Sequence, residues 1–381
     1  VAFVTFVGST PAFAAKTVLA PTTPTAIKAK PEVAAVKVSW LSPHRSGVTF
    51  TVTSVPNGKG CVVVGLTNCT IPVTDSTPWQ FQVTASIGSM VSAPSALTSV
   101  VPDRTLVILA GQSNAMGAES LAIDPATGVN YLAPPYLNGA DTSSTLSWPA
   151  WNVKAARHGG HTGQVALDTP QIENWITPDQ QIFGPEVGWA RQVFADTGQP
   201  ISIIKATLGG SSLAVNWNPS SPGGIFLATV GDVVTTMQLD ARAGRLDTIG
   251  AIAWYQGEND AMSLTTAGQY ETNLGTFISA LRSDLPMAST TPIVLVKESL
   301  ASLVASWEAN NECSVENCTG VDTGDAEVRS ADDWAAANLP HVIGVDSLGL
   351  PRFAGDEVHL TDTSELVIGK EIATASDHLM P

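Results

Sequence analysis

Residues 106–114 read Leu106-Val107-Ile108-Leu109-Ala110-Gly111-Gln112-Ser113-Asn114. An apolar run that stops at a glycine and delivers a serine at its carboxyl end is how an open α/β sheet presents a nucleophile. Glycine-serine turns are common, so the pattern gains weight from a second stretch, Asp356-Glu357-Val358-His359. A hydroxyl nucleophile needs a base, and the base needs an orienting carboxylate; Asp-x-x-His supplies both three residues apart. Asp346 and Asp260 also follow apolar runs and stand as alternatives for the carboxylate.

Outward from that strand, the chain from Asp103 alternates strand and helix. Apolar runs at 105–110, 201–206, 249–254, 292–297 and 341–345 predict strands of a parallel sheet. A helix is expected from Pro185, at its first turn, to Thr197 before Gly198. Others are expected near 225–243, 264–284, 325–338 and 362–376, the last opening on a capping-box-like Asp362-x-x-Glu365. The predicted fold is a three-layer α/β/α flavodoxin-like sandwich over 103–381. Residues 119–182 break the rhythm, and a stretch this long without a period is usually functional or disordered, with its tryptophans arguing against disorder. Its Trp148, Trp151 and Trp175 either form a sugar-stacking wall or pack the insertion onto the core. Trp217 carries the same two readings, and His158 and His161, in a glycine-rich loop, are read as solvent-facing.

Residues 17–102 have a different texture. Val36-Lys37-Val38-Ser39-Trp40, Val48-Thr49-Phe50-Thr51-Val52 and Trp79-Gln80-Phe81-Gln82-Val83-Thr84 each alternate with period two between turn residues, which predicts a small all-β sandwich. The segment resembles a fibronectin type III domain, with Trp79 where that family usually has a tyrosine. A spacer is the simplest role for it, with polysaccharide or cell-wall contact as the alternative. Residues 1–16 read as a signal-peptide remnant, an apolar core followed by Ala12-Phe13-Ala14, so secretion is expected. Cys61 with Cys69 and Cys313 with Cys318 then read as local disulfides. A net charge of −16 argues against nucleic acid or an anionic membrane as partner.

Two further turns follow predicted strands. Thr207-Leu208-Gly209-Gly210 lets the backbone come close to a ligand and aim an N–H at a developing oxyanion. Trp254-Tyr255-Gln256-Gly257-Glu258-Asn259-Asp260 places two carboxamides, Gln256 and Asn259, at a strand end; Glu258 is read as a structural partner.

The blocks "GQSNAMG" at 111–117, "FGPE" at 183–186, "GGSSL" at 209–213, "WYQGEND" at 254–260 and "DEVHLT" at 356–361 together resemble the SGNH hydrolase superfamily. More closely, they resemble its carbohydrate esterase branch of acetylxylan esterases and sialate O-acetylesterase-like proteins. The resemblance covers 105–376. It implies Ser113 as nucleophile, His359 as general base and acid, and Asp356 as the residue orienting the imidazole. It implies an oxyanion hole of the Ser113 and Gly210 N–H groups with the Gln256 side chain, for which Asn259 competes. The expected activity is removal of O-acetyl groups from a carbohydrate through an acyl-serine, without metal or cofactor. Acetylated xylan or its oligosaccharides come first as substrate and O-acetylated sialic acid second. A non-catalytic carbohydrate-binding protein on the same fold is the reading from another class.

Overall fold

The structure, a computed structural model, describes residues 20–377 apart from 44, 57, 74–78, 102, 134–138, 140–142, 149–163, 170, 174–179 and 311–314. The expected signal segment, Trp151, Trp175, His158, His161 and Cys313 therefore lie outside the described residues. The chain divides into two compact units, the first drawn mainly from 37–71 and 79–100 and the second from Val101 onward.

The first unit carries seven strands: β1 (Thr25–Glu32), β2 (Ala35–Leu41), β3 (Thr49–Val55), β4 (Gly60–Val64), β5 (Asn68–Pro72), β6 (Gln80–Ile87) and β7 (Met90–Val91). They form a three-stranded sheet, β1-β2-β5, and a four-stranded sheet, β4-β3-β6-β7. The period-two pattern translates directly into burial. Val36, Val38 and Trp40 of β2, Phe50 and Val52 of β3, and Phe81 and Val83 of β6 all face inward. A disulfide between Cys61 in β4 and Cys69 in β5 ties one sheet to the other.

The second unit is an α/β fold on a seven-stranded, mostly parallel sheet. Its strands are β8 (Asp103–Gly111), β9 (Thr145–Ser147), β10 (Gln164–Ala166), β13 (Ser202–Thr207), β14 (Leu246–Tyr255), β15 (Ile293–Lys297) and β16 (Val342–Asp346), with a separate hairpin of β11 (Gln171–Glu173) and β12 (Gln180–Ile182). Sheet order is β10-β9-β13-β8-β14-β15-β16, and β10 is the antiparallel member. The order β13-β8-β14-β15-β16 is the doubly wound 2-1-3-4-5 arrangement.

The central strands are buried on both faces, which is why they read as unbroken apolar runs. Leu106, Ile108 and Ala110 of β8 point into one core with Trp254 of β14, while Val107 and Leu109 point into the other with Ala251 and Ala253. The first face is covered by α3 (Ile225–Arg242), α6 (Tyr270–Asp284) and α8 (Val315–Asn338), the second by α2 (Pro185–Thr197) and α9 (Asp362–Asp377). Tyr270, Leu274, Phe277, Ile278 and Leu281 show how α6 presents one apolar stripe at helical spacing. One-turn helices α1 (Ser113–Met116), α4 (Glu258–Ala261) and α5 (Leu264–Ala267), and α7 (Ala301–Ala309), complete the unit.

All five expected strands are present, and the sheet is wider than expected. Residues 119–182 contribute β9 and β10 to its edge. α7 was not predicted, and α8 begins at Val315 rather than near 325. No helix among the described residues is long and apolar enough to cross a membrane.

Candidate active site

Strand register brings the candidate residues to one edge. Gly111, at the end of β8, is in register with Thr207 of β13 and Tyr255 of β14, so the three following loops leave the sheet side by side. Gly111 permits this closeness, because a Cβ there would lie 1.9 Å from the Tyr255 carbonyl oxygen. The Gln112 N–H donates to that same carbonyl at 3.0 Å. The chain then makes the single turn of α1, with Ser113 as its first residue, and leaves it at Gly117 in the left-handed region (φ 78°).

Asn114, which sequence reading had left without a role, links the serine turn to the histidine loop. Its Nδ2 donates to the Val358 carbonyl at 3.2 Å, and its Oδ1 accepts the Leu360 N–H at 3.0 Å. The residue after Ser113 thus brackets His359 on both sides. The same Nδ2 donates to Glu258 Oε1 at 2.7 Å. Burial raises the Glu258 pKa, against hydrogen bonds and the nearby His359 and Arg352 charges that lower it.

Around His359 the turn is built by Asp356. Asp356 Oδ1 accepts the backbone N–H groups of Val358 (2.9 Å) and His359 (2.7 Å), and both of its oxygens lie 2.9 Å from His359 Nδ1. Burial alone would raise the Asp356 pKa; the His359 ring and these N–H groups outweigh it and hold the carboxyl at about 2. With Nδ1 engaged, Nε2 is the ring nitrogen left for proton transfer. It is buried, with no hydrogen-bond partner among the described residues. The alternative carboxylates are committed elsewhere. Asp346 pairs with Arg329 and Lys297 (2.8 and 3.3 Å). Asp260 accepts from Leu213 N–H and Gln256 Nε2 (2.7 and 2.8 Å).

Gly210 stands exposed in the left-handed region (φ 62°) in the loop after β13. That loop is held to the serine strand by the Leu208 N–H donating to the Gly111 carbonyl at 3.1 Å. Gln256 is fully buried, and its Nε2 faces three acceptors: Gln112 Oε1 (3.1 Å), the Ser211 carbonyl (3.0 Å) and Asp260 Oδ2 (2.8 Å). Its Oε1 accepts from the Tyr270 hydroxyl at 3.1 Å. Gln256 therefore braces three loops with its whole amide. Asn259 is exposed, and its backbone N–H lies 3.4 Å from Gln112 Oε1, next to the serine.

The two described candidate tryptophans lie in the interior. Trp148 is 2% exposed, and its indole N–H donates to Thr207 Oγ1 at 3.1 Å. Trp217 is 1% exposed, donates to Ser211 Oγ at 2.9 Å and packs edge-on against Trp254. Neither offers a ring face to a sugar; both pack the loops of the site onto the core. Beside Trp148 lies a buried ion pair that sequence reading missed. Lys205 Nζ sits 3.0 Å from Glu186 Oε1 and 2.9 Å from Gln171 Oε1, 4.7 Å from the Trp148 ring centre. Burial lowers the Lys205 pKa, against the pull of Glu186. The visible signal was a lysine inside the apolar strand Ile203-Ile204-Lys205-Ala206.

A further acid comes close to Asp356 and His359. Ligand atoms of Glu119, Asp356 and His359 all lie within 4.8 Å of one another. Within this trio Asp356 and His359 Nδ1 already bond each other.

Residues 103–378 match the family model described as "Carbohydrate esterase, sialic acid-specific acetylesterase". A probable carbohydrate esterase of Arabidopsis thaliana is 31% identical over 127 residues, 33% of this chain and 40% of the relative. The match thus spans well under half of that relative's length. The crystal structure of an Arabidopsis thaliana protein superposes with a TM-score of 0.51 at 21% identity, covering 74% of this chain and 100% of that one. That of NanS gives 0.50 at 14% identity, covering 73% and 97%. These two likenesses concern the fold.

Proposed function

This chain belongs to the carbohydrate esterase, sialic acid-specific acetylesterase family, and from that membership we propose a serine esterase that removes O-acetyl groups from carbohydrate through an acyl-enzyme on Ser113. The observation that carries this reading is the clamp of Asn114 on both flanks of His359, beside a ring whose Nδ1 is held by Asp356 and whose Nε2 has no hydrogen-bond partner among the described residues. In the proposed cycle Nε2 takes the Ser113 hydroxyl proton as Oγ attacks the acetyl carbonyl carbon. The tetrahedral intermediate collapses, the bond to the sugar oxygen breaks, and the imidazolium returns the proton to that oxygen. Water then attacks the acyl-serine with His359 again as base, releasing acetate.

The Ser113 and Gly210 N–H groups are assigned to the oxyanion, each donor worth about 3–4 kcal/mol in such a hole. Asn259 is preferred to Gln256 as the third donor, because the Gln256 amide is committed to three protein acceptors and the Asn259 side chain is exposed. Acetylated xylan or its oligosaccharides remain the first substrate proposed, and O-acetylated sialic acid the second. Secretion is proposed on the Ala-x-Ala leader and the Cys61–Cys69 disulfide. For the first unit, the three-plus-four strand arrangement supports a fibronectin type III-like sandwich.

The test is acetate release from acetylated xylan and from p-nitrophenyl acetate. The wild type is expected to hydrolyse both, and Ser113→Ala to lose at least about a thousandfold in kcat. Turnover unchanged in the variant would refute the assignment.

A further inference from the structure

We infer that Glu186 is a positioning residue for Ser113: paired with Lys205 in the interior, its carboxylate fixes the Gly184 backbone against which the Ser113 turn is seated. This role rests on the esterase reading above and belongs to a residue that touches no substrate.

Glu186 follows Pro185 in the first turn of α2 and is fully buried. One of its oxygens, Oε1, accepts three bonds: from the Gly184 N–H (3.0 Å), from Gln171 Nε2 (2.8 Å) and from Lys205 Nζ (3.0 Å). Lys205 Nζ also donates to Gln171 Oε1 at 2.9 Å and lies over the Trp148 ring. A single carboxylate thus ties the start of α2 to β13 and to β11 of the insertion. A buried ion pair adds little net stability over apolar side chains of similar volume. What it supplies, and they cannot, is a set of directed bonds that fixes one geometry.

That geometry matters at Gly184. A Cβ there would stand 2.8 Å from Glu186 Oε2, 3.1 Å from the Gly117 nitrogen and 3.2 Å from the Ala115 carbonyl oxygen. Gly184 is therefore wedged between the carboxylate and the backbone of the turn that begins at Ser113. From the other side, a Cβ on Gly117 would lie 2.6 Å from Gly184 Cα. With so little slack, a shift of Gly184 passes to the turn. Lys205 is in register with Leu109 of β8, so the cation that holds Glu186 is held in turn by the strand leading to Ser113. An error of about 1 Å in placing a reacting group costs about a hundredfold in rate.

The test uses two double variants, neither of which leaves an unpaired charge in the interior. Lys205→Met with Glu186→Gln keeps an acceptor for the Gly184 N–H, and Lys205→Met with Glu186→Leu removes it. Turnover of p-nitrophenyl acetate and the rate of fluorophosphonate labelling at Ser113 are measured per folded protein, well below the unfolding midpoints. The Gln variant should keep kcat within about threefold of wild type. The Leu variant should lose about a hundredfold in kcat and in labelling rate, with KM within about twofold. If the Leu variant does not fold, Gly184→Ala takes its place: its methyl group presses on Glu186 Oε2 and the Gly117 nitrogen with the ion pair intact. It should lower kcat at least about tenfold at little changed KM. Equal kcat in the two double variants, whether both high or both low, or unchanged kcat in Gly184→Ala, overturns the role of Glu186 and leaves the esterase reading standing. A wild type that neither turns over the ester nor labels at Ser113 refutes the esterase reading and this role with it.

Discussion

At Asp356 one carboxylate accepts from two backbone N–H groups and from the His359 ring. The same bonds that shape the turn fix the imidazole, so the turn and the ring's orientation depend on one residue. Glu357, held at φ 63° between them, shows that the turn is tight enough to force a left-handed non-glycine. Asp356→Asn keeps the shape but offers the ring an amide; kcat should fall by about 10⁴ as the imidazole loses its oriented tautomer. A pH effect follows from the depressed carboxyl. With a folded pKa of about 2 against an ordinary 3.8, the unfolded chain binds more protons in that window. The stabilisation by Asp356 is therefore full above about pH 4 and is lost as pH falls through about 2. Urea unfolding of wild type and Asp356→Asn should show a stability gap at pH 6 that narrows at pH 3. A gap of constant size would contradict the assignment.

The Ser113 turn is an element only four residues long, and its exit is set by Gly117. A Cβ there would lie 2.0 Å from the Phe183 carbonyl, the first residue of the "FGPE" block, so two sequence blocks meet backbone to backbone. Gly117→Ala should cost at least about 1–2 kcal/mol from the left-handed backbone alone. Thermal unfolding should show a lowered midpoint, with kcat reduced as the turn shifts; an unchanged midpoint would mean that the contact relaxes freely. Long apolar strands were legible in the sequence because burial on both faces leaves no polar alternation to misread. β9 and β10 were not, since three residues each carry no period, and their place at the sheet edge depends on β9 pairing with β13 and β10 with β9. α7 was hidden for the opposite reason: Ala301–Ala309 buries only Val304, so it shows no stripe. Ser113, Asp356 and His359 stood out because the chemistry proposed for them needs those residue types. Asn114 and Lys205 did not, because their contacts are with partners distant in sequence.

Over the whole molecule, the parallel sheet is what gathers these partners. Gly111, Thr207 and Tyr255 end level with one another, so loops far apart in sequence open at one edge. The loop carrying Asp356 and His359 follows β16 and is drawn to the serine by the Asn114 side chain. The tryptophans of the insertion could not be placed from sequence, since a sugar wall and a packing residue use the same side chain; burial of Trp148 over Lys205 resolves that one towards packing. The account turns on Ser113 being a nucleophile activated by His359. The measurement that addresses this most directly is labelling of the whole chain with a fluorophosphonate, followed by peptide mass spectrometry. The account predicts a single adduct on Ser113, forming at least about a hundredfold more slowly in His359→Ala. An adduct on another serine, or one on Ser113 whose rate ignores His359, would contradict it.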